Sequence, residues 1–248
     1  AAATDEPTCP APRIRIFMSP LDGPVAGRRR HDIAAKARAG TGYNPGPPLP
    51  ARDQAAAMTL IPNLSGVVIT KNEGDRIARC VRSLAEVCAE VVVLDSGSTD
   101  DTVARARAAG ARVEHQDWLG FSAQKNAAIA LARQPWVLLL DADEWLGEGA
   151  AEKLRALFAD GRVESAEVWT IERRTHFLGK ALNFGGWGRE SLERIFRQPI
   201  RYWPAKVHER LDTDGMRVET TRVRIEHDTA RSEADYRDKL QRYARLFA

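Results

Sequence analysis

Trp136-Val-Leu-Leu-Leu-Asp141-Ala-Asp143-Glu144 is the stretch that decides the fold of this chain. Its apolar residues predict a buried strand, and two aspartates separated by one residue follow directly. Aspartate is a poor strand former, so such a pair needs water, a helix N-terminus or a metal beside it. In an open α/β sheet, ligands bind at this carboxyl end of the strands. A competing interpretation is that Asp143 or Glu144 only caps a following helix.

Alternating strands and helices are expected on both sides of this stretch, from Leu64 onward. Two β-α-β units in succession predict a parallel sheet with right-handed crossovers, and the pattern weakens after residue 160. The predicted strands are 66–70, 90–94, 111–115, 136–140, 167–171 and 194–197. Helices are expected from an Asp75 cap to Val87 or Cys88, from a Thr99 or Asp100 cap to Gly110, and over 120–132, 148–159 and 232–247.

Two regions of the chain differ in composition. Residues 1–62 are rich in Pro, Gly, Ala and Arg and lack a sustained period, so they bury too little apolar surface to offset their ordering entropy. We expect them to form a disordered tail or a non-native extension. Residues 63–248 are expected to form one domain. The chain stops inside the predicted helix 232–247, so we expect the native protein to continue beyond Ala248.

Composition and charge narrow the class of protein. A net charge of +3 in 248 residues is too small to indicate a nucleic-acid partner, but it fits an anionic substrate or an anionic membrane surface. The three cysteines have no zinc-type spacing, and Cys80 and Cys88 are expected on one helix, too far apart to bond. A reducing compartment follows. No apolar run approaches the roughly 20 residues of a spanning helix, so we expect a cytoplasmic protein.

Acidic side chains fall at the carboxyl ends of three predicted parallel strands. Glu73 follows the first strand, Asp95 ends the second, and Asp141 and Asp143 follow the fourth. Several acids at one sheet edge form an electronegative cleft, which is costly unless a divalent cation or a hydroxyl-rich ligand occupies it. The sequence lacks GxGxxG and GxxxxGK[ST], which counts against a dinucleotide fold and a P-loop. What remains is a nucleotide site with acids for the ribose and base and a metal for the phosphates.

Four motifs resemble those of family 2 glycosyltransferases with a GT-A fold. They are Ser65-Gly-Val-Val-Ile-Thr-Lys-Asn-Glu73, Val91-Val-Val-Leu-Asp-Ser-Gly-Ser-Thr-Asp100, Gly120-Phe-Ser-Ala-Gln-Lys-Asn126 and Leu140-Asp-Ala-Asp-Glu144. The last two, with Gly185-Gly-Trp187, Val207-His-Glu209 and His227, resemble the bacterial lipopolysaccharide core β-1,4-glucosyltransferase group. The resemblance implies a Rossmann-like, mostly parallel sheet flanked by helices. Its donor half would span 63–160, and a mixed α+β acceptor half would span 161–248.

The resemblance also implies a site for a UDP-sugar, with UDP-glucose as the first candidate, and for Mg²⁺ or Mn²⁺. Glu73 and Asp95 would hold the uridine, Asp141 would face the ribose or sugar, and Asp143 would ligate the metal. The other implied contacts are Thr70, Gly97, Lys125 and Asn126 with the donor and His208 with the metal. A lone histidine is more often structural, and Lys125 is alternatively an exposed helical lysine. Glu144 remains a predicted helix cap.

Family 2 enzymes invert the anomeric carbon, which implies one in-line displacement and one general base. Glu190 is the candidate base, because it follows the glycine-rich loop where an acceptor would enter. Family members commonly place an aspartate there, so Glu209 is a rival, and either glutamate could be a surface ion pair. The expected acceptor contacts are Trp187, Arg189 and Arg194. The arginines suit a phosphorylated acceptor, or alternatively are charges at a strand edge.

The predicted function is therefore transfer of a hexose, with glucose as the candidate, from a UDP-sugar to a lipid-linked saccharide such as the lipopolysaccharide inner core. Transfer would occur at the cytoplasmic face of the inner membrane. Helix 232–247 could lie on that membrane or pack on the domain, and packing is favoured. The alternatives are a family 2 enzyme with a polyprenyl phosphate or capsule saccharide acceptor, a nucleotidyltransferase, and a non-catalytic nucleotide-binding protein.

Overall fold

The computed structural model describes residues 59–184, 190–204, 209–230 and 232–247. The strands are β1 (Ile61–Thr70), β2 (Cys88–Asp95), β3 (Arg112–His115), β4 (Trp136–Asp141), β5 (Glu144–Leu146), β6 (Val168–Phe177), β7 (Lys180–Ala181), β8 (Glu190–Arg197) and β9 (Val218–Ala230). The helices are α1 (Gly74–Ala85), α2 (Thr102–Ala108), α3 (Phe121–Ala130), α4 (Ala150–Ala159) and α5 (Glu233–Phe247), with a 3₁₀ turn at Arg162–Ser165.

One sheet joins the two halves of the domain. Its strand order is β3-β2-β1-β4-β8-β6-β9-β5, and β7 pairs with β6. The four strands from β3 to β4 are parallel to one another, whereas β8 is antiparallel to both β4 and β6. The β6–β9 pair is parallel, and β5 is antiparallel to β9. The expected architecture, parallel in the first half and mixed in the second, is confirmed.

β4 is the centre of the core because its apolar residues are buried on both faces of the sheet. Leu138 and Leu140 belong to a cluster that includes Ile77 of α1 and Leu154 of α4. Alternate residues of the strand, including Leu139, point to a second cluster that contains residues of α3. Helices therefore cover both faces of the parallel half, as the continuous apolar run predicts.

Several element boundaries differ from the sequence prediction. Glu73, and not Asp75, occupies the N-cap position of α1, and the helix ends at Ala85. Cys88 therefore lies in β2 and does not share a helix with Cys80, although both thiols are buried and free. The strand β1 begins at Ile61, within the predicted tail, while residues 1–58 lie outside the described part of the chain.

The prediction that Glu144 caps a helix is wrong. Glu144 begins β5 and pairs with His227 of β9, and the next helix begins only at Ala150. The sequence did not predict β9, a strand of 13 residues in which buried residues alternate with partly exposed ones over its second half. The three residues of β5 are extended because they pair with β9, so a prediction that lacks β9 also lacks β5.

The predicted helix 232–247 is present as α5, and its first turns contact the rest of the domain. Asp235 pairs with Arg76 of α1 at 2.9 Å, and the ring of Tyr236 lies 5.1 Å from that of Phe177. These contacts agree with the packed alternative for the helix. Over the described residues, no helix combines the length and apolar character needed to cross a membrane.

Candidate active site

Strand pairing brings the predicted acids to one edge of the sheet. Thr70 at the end of β1 pairs with Asp95 of β2, and Ile69 pairs with Asp141 of β4. Because β1 lies between β2 and β4, Asp95 and Asp141 lie on opposite sides of the carboxyl end of β1. The turn after β4 adds Asp143, so the grouping predicted from the sequence is present in the structure.

The loop after β2 is shaped by the Asp95 carboxylate. That carboxylate is buried and accepts hydrogen bonds from the backbone N–H groups of Gly97 and Ser98, both at 2.9 Å. Gly97 has a φ of +82°, which a glycine adopts without strain. Asp95 and Gly97 thus have a role in the loop itself, and their contact with a uridine stays a prediction.

The loops after β1 and β2 are joined by hydrogen bonds from the Lys71-Asn-Glu-Gly74 segment. The Oδ1 atom of Asn72 accepts from the backbone of Thr99 at 2.8 Å, and the backbone N–H of Glu73 donates to Thr102 Oγ1 at 2.8 Å. The N–H of Gly74 donates to Asp100 at 3.1 Å. Such a frame holds a binding loop in one geometry before a ligand arrives.

Thr70 is the predicted donor contact with the most informative surroundings. Its hydroxyl oxygen is buried, and no hydrogen-bond partner for it lies among the described residues. Buried hydroxyls are rarely unpaired in folded proteins, so an unpaired one at the carboxyl end of a strand indicates a place for a ligand.

Asp141 lies between two buried cations. Its carboxylate is 2.8 Å from Arg194 Nη2 and 3.5 Å from Lys125 Nζ. Burial would raise the pKa of the Asp141 carboxyl, but the positive charges of Lys125 and Arg194 outweigh this effect and hold that pKa well below its usual range. Asp141 is therefore a fixed anion, and it faces the cleft described below.

Arg194 was predicted to contact an acceptor, and in the structure it forms ion pairs with two acidic residues. Its Nη2 atom donates to Asp141 and to Glu144, each at 2.8 Å, and the side chain is buried. Glu144 also pairs with Arg173 at 3.3 Å and accepts from the backbone of Asp141. A buried acid of this kind requires such partners. Arg194 thus holds Asp141 in place, and its contact with an acceptor stays a prediction.

Lys125 is buried, so the alternative of an exposed helical lysine is wrong. Its Nζ atom lies 3.7 Å from Glu209 and 5.2 Å from the centre of the Tyr202 ring. Burial would lower the pKa of the Lys125 amine, but the nearby Asp141 charge raises it overall. The neighbouring Asn126 bonds to the backbone N–H and C=O of Tyr202 at 2.8 and 2.9 Å. Asn126 positions the Tyr202 segment, and its contact with the donor stays a prediction.

A cleft of about 420 Å³ opens beside Asp141. Both candidate bases line it, which brings Glu190 and Glu209 into one site although they are 19 residues apart in sequence. Glu190 is 42% exposed at its side chain and pairs with Arg173, whereas Glu209 is 16% exposed. The lining residues are Phe121, Lys125, Asp141, Arg173, Glu190, Leu192, Glu193, Arg194, Tyr202, Glu209, Arg210 and Leu211.

Asp143, the predicted metal ligand, lies in the turn after β4 beside His227. Its Oδ2 atom lies 3.3 Å from His227 Nε2, and the other ring nitrogen of His227 is 3.4 Å from Thr175 Oγ1. No group of three or more His, Cys, Asp or Glu side chains within the described ranges could hold a metal ion. A carboxylate oxygen and an oriented imidazole nitrogen nevertheless fit a divalent cation that takes its remaining ligands from phosphates and water.

Three predicted residues, Trp187, Arg189 and His208, lie outside the described residues. The structure adds residues for which no role was predicted. Arg173, Glu193 and Tyr202 line the cleft, and Arg76 lies 3.7 Å from Asp143. His227, which lies beside Asp143, is a further residue without a predicted role. It is the only one of these residues that the family resemblance included.

A parallel sheet that ends in acids beside an open cleft, continued by a mixed sheet, is the arrangement of a GT-A-type glycosyltransferase domain. The model of glycosyl transferase family 2 matches residues 65–225, and the chain belongs to this family. The fold class and family expected from the motifs are therefore confirmed.

Curated relatives match parts of the chain. An uncharacterized glycosyltransferase of Rickettsia conorii is 44% identical over 101 residues, which cover 41% of this chain and 36% of that protein. The lipopolysaccharide core biosynthesis glycosyltransferase LpsC of Rhizobium meliloti is 36% identical over 167 residues, with 63% and 60% covered. The chain thus spans less than two thirds of these relatives. The S. aureus TarS 1–349 structure in complex with UDP-GlcNAc has 17% identity and a TM-score of 0.48, covering 69% of this chain and 60% of that one.

Proposed function

We propose that this chain is an inverting glycosyltransferase domain that transfers a hexose, with glucose as the first candidate, from a UDP-sugar to a lipid-linked saccharide. The observation that carries the proposal is the cleft beside Asp141. One wall holds a fixed anion at the carboxyl end of the parallel sheet, and the same cleft contains two glutamates. A sugar bound there would have the nucleotide loops on one side and a candidate base on the other.

The nucleotide part of the donor is proposed to bind at the loops after β1 and β2. The Thr70 hydroxyl, which has no partner in the described part of the chain, supports this placement, since a donor oxygen would complete its hydrogen bonding. Glu73 and Asp95 are the proposed contacts of the uridine, and Asp141 is the proposed contact of the ribose or sugar. The hydrogen bonds between the two loops mean that little reorganisation would accompany binding.

The diphosphate is proposed to bind near Asp143 with Mg²⁺ or Mn²⁺. When bound, such a cation neutralises the negative charge that grows on the departing UDP. Asp143 and His227 would hold it, and Thr175 would keep the imidazole of His227 oriented through its other nitrogen. His208 stays a further predicted ligand.

Glu190 is the proposed general base that takes the proton from the acceptor hydroxyl. Its side chain is more exposed than that of Glu209, so an entering acceptor can reach it. Glu209 lies beside Lys125, which in turn contacts Asp141. This position suits contact with a hydroxyl of the donor sugar better than contact with the acceptor. Glu209 remains the rival that the variants below separate.

The proposed acceptor is a saccharide of the lipopolysaccharide inner core, at the cytoplasmic face of the inner membrane. The similarity to LpsC supports this class of acceptor. Arg210 in the cleft wall suits a phosphorylated saccharide, because guanidinium groups bind phosphate through paired hydrogen bonds. Polyprenyl phosphate and a capsule saccharide are the alternative acceptors for this chain.

The test combines a donor screen with an acceptor screen on the 248-residue chain. UDP-glucose, UDP-GlcNAc, UDP-galactose and GDP-mannose are compared by thermal shift with Mn²⁺, and a specific donor at a hundredfold excess over Kd should add about 2.7 kcal/mol. The preferred donor is then incubated with inner-core lipopolysaccharide, polyprenyl phosphate and a capsule oligosaccharide. Transfer of glucose to the inner core supports the proposal. Stabilisation by no UDP-sugar, or transfer only to another acceptor, contradicts it.

A further inference from the structure

Arg76 is a buried cation that the sequence did not single out and that the proposed reaction does not use. It lies in the first turn of α1, and its side chain is only 8% exposed. Three carboxylates surround its guanidinium group, and each comes from a different part of the chain. Glu73 precedes α1 at 3.4 Å, Asp143 follows β4 at 3.7 Å, and Asp235 lies in the first turn of α5 at 2.9 Å.

The two ends of this guanidinium group face different partners. Nη1 faces Glu73 and Asp143, which are assigned to the donor, whereas Nη2 donates to Asp235. The Nε atom is buried and has no hydrogen-bond partner among the described residues. A buried arginine is tolerated only while acids compensate its desolvation, so the acids compete for one cation.

We propose that Arg76 is a positioning residue that couples the docking of α5 to the charge state of the donor-site acids. The assignment of Asp143 and Glu73 to the donor rests on the proposed function, whereas the coupling itself is a property of the apo chain. With α5 docked, Nη2 donates to Asp235 at 2.9 Å and Asp143 lies farther from the guanidinium group, at 3.7 Å, so Asp235 weakens the hold of Arg76 on Asp143. When the charge of Asp143 is neutralised, Arg76 pairs more strongly with Asp235 and α5 docks more tightly.

The coupling is reciprocal, because any influence of α5 on the affinity of the site equals the influence of the site on α5. Because Asp143 and Asp235 compete for Arg76, substitutions of these two residues should change the docking of α5 in opposite directions. Loss of Asp235 loosens α5 and lets Arg76 compete for Asp143, whereas loss of the Asp143 charge tightens α5. A merely structural ion pair would loosen α5 in both cases or leave it unchanged.

The first experiment needs no ligand. Backbone amide exchange of residues 233–247 is measured in the wild type, Asp235→Asn, Asp143→Asn and the double variant. Asp235→Asn should speed exchange, Asp143→Asn should slow it, and the effect of Asp143→Asn should vanish when Asp235 is absent. The interaction between the two substitutions should be about twofold or more in exchange rate.

Glu233→Gln is the matched control, because Glu233 lies in the same helical turn and pairs only with the exposed Arg237 among the contacts described. It should leave the exchange of α5 close to that of the wild type. Arg76→Lys is a second test variant, which keeps the positive charge but replaces the guanidinium group, whose two terminal nitrogens face different acids, by a single amine. In this variant the effect of Asp143→Asn on exchange should be abolished. Equal exchange in Asp235→Asn and Glu233→Gln, or an additive double variant, would overturn the proposal.

The second experiment measures the affinity for UDP with Mn²⁺ by calorimetry. Asp235→Asn should weaken it by about fivefold or more, the lower end of typical coupling between sites, while Glu233→Gln should stay within twofold. Wild-type affinity in Asp235→Asn would contradict the coupling. A wild-type chain that binds no UDP would instead contradict the proposed function, and the exchange experiment would still decide whether Arg76 couples α5 to Asp143.

Discussion

The donor half and the acceptor half of the domain hold their site residues in different ways. In the donor half, acids stand at the ends of parallel strands, and hydrogen bonds join the loops after β1 and β2. In the acceptor half, the strands are mixed in direction, and the site residue Arg194 is held by ion pairs to Asp141 and Glu144 of the donor half. Local sequence patterns reveal the strand ends of the first arrangement, whereas no local pattern reveals the ion pairs of the second.

The largest effect that would test the donor half is expected at Asp143. Asp143→Ala removes the carboxylate that would hold the metal, so kcat for glucose transfer should fall about 10³-fold, equivalent to several kcal/mol of transition-state stabilisation. Initial rates with UDP-glucose and Mn²⁺ measure this change.

Asp160→Asn is the control for that variant, since Asp160 is an exposed acid at the end of α4 whose main partner is Arg162. Transfer by this control should match the wild type. An Asp143→Ala enzyme that keeps wild-type turnover would show that the acids of the donor half do not form the metal site.

The acceptor half is tested next through its two glutamates. Glu190→Gln should lower kcat by about 10²-fold while leaving the Kd for UDP-glucose unchanged, because a general base acts only in the chemical step. Glu209→Gln should instead raise the KM for the donor with a smaller effect on kcat. If the two variants exchange these behaviours, Glu209 is the base and the exposed position of Glu190 is not the deciding feature.

The ion pairs that join the halves are tested by the stability of Asp141→Asn. This change leaves Arg194 and Lys125 without one partner and should cost about 2 kcal/mol at pH 7, less than for a fully buried pair because Asp141 is partly exposed. Its folded-state pKa is lowered, so the stabilisation is complete above the unfolded value of about 3.9 and is lost as the pH falls below it. Urea unfolding should show a smaller difference at pH 3 than at pH 7.

The smallest expected effect concerns the loops of the donor half. Asn72 has a φ of 54°, which glycine adopts easily, so Asn72→Gly keeps the backbone and removes the bonds to Thr99. The loss should be about 1 kcal/mol of unfolding free energy. Differential scanning calorimetry would detect it, and an unchanged or raised melting temperature would show that these bonds do not stabilise the loops.

The same comparison explains what the sequence could predict. The run before Asp141 is buried on both faces, so it predicted β4, and the acids after parallel strands predicted a shared edge. The alternating charges of β9 gave no comparable signal, so β9 was not predicted. Because β5 pairs with β9, Glu144 was then wrongly assigned to a helix cap. The contact between Arg76 and Asp235 joins positions 159 residues apart, and no local pattern encodes such a pair.

The most direct test of the central claim is a crystal structure of the chain with UDP and Mn²⁺. We expect the uridine to lie against Glu73 and Asp95 and the diphosphate to lie beside Asp143 and His227. Asp141 should then border the space that the hexose would occupy in the cleft. Nucleotide bound away from the carboxyl ends of β1, β2 and β4 would contradict the account.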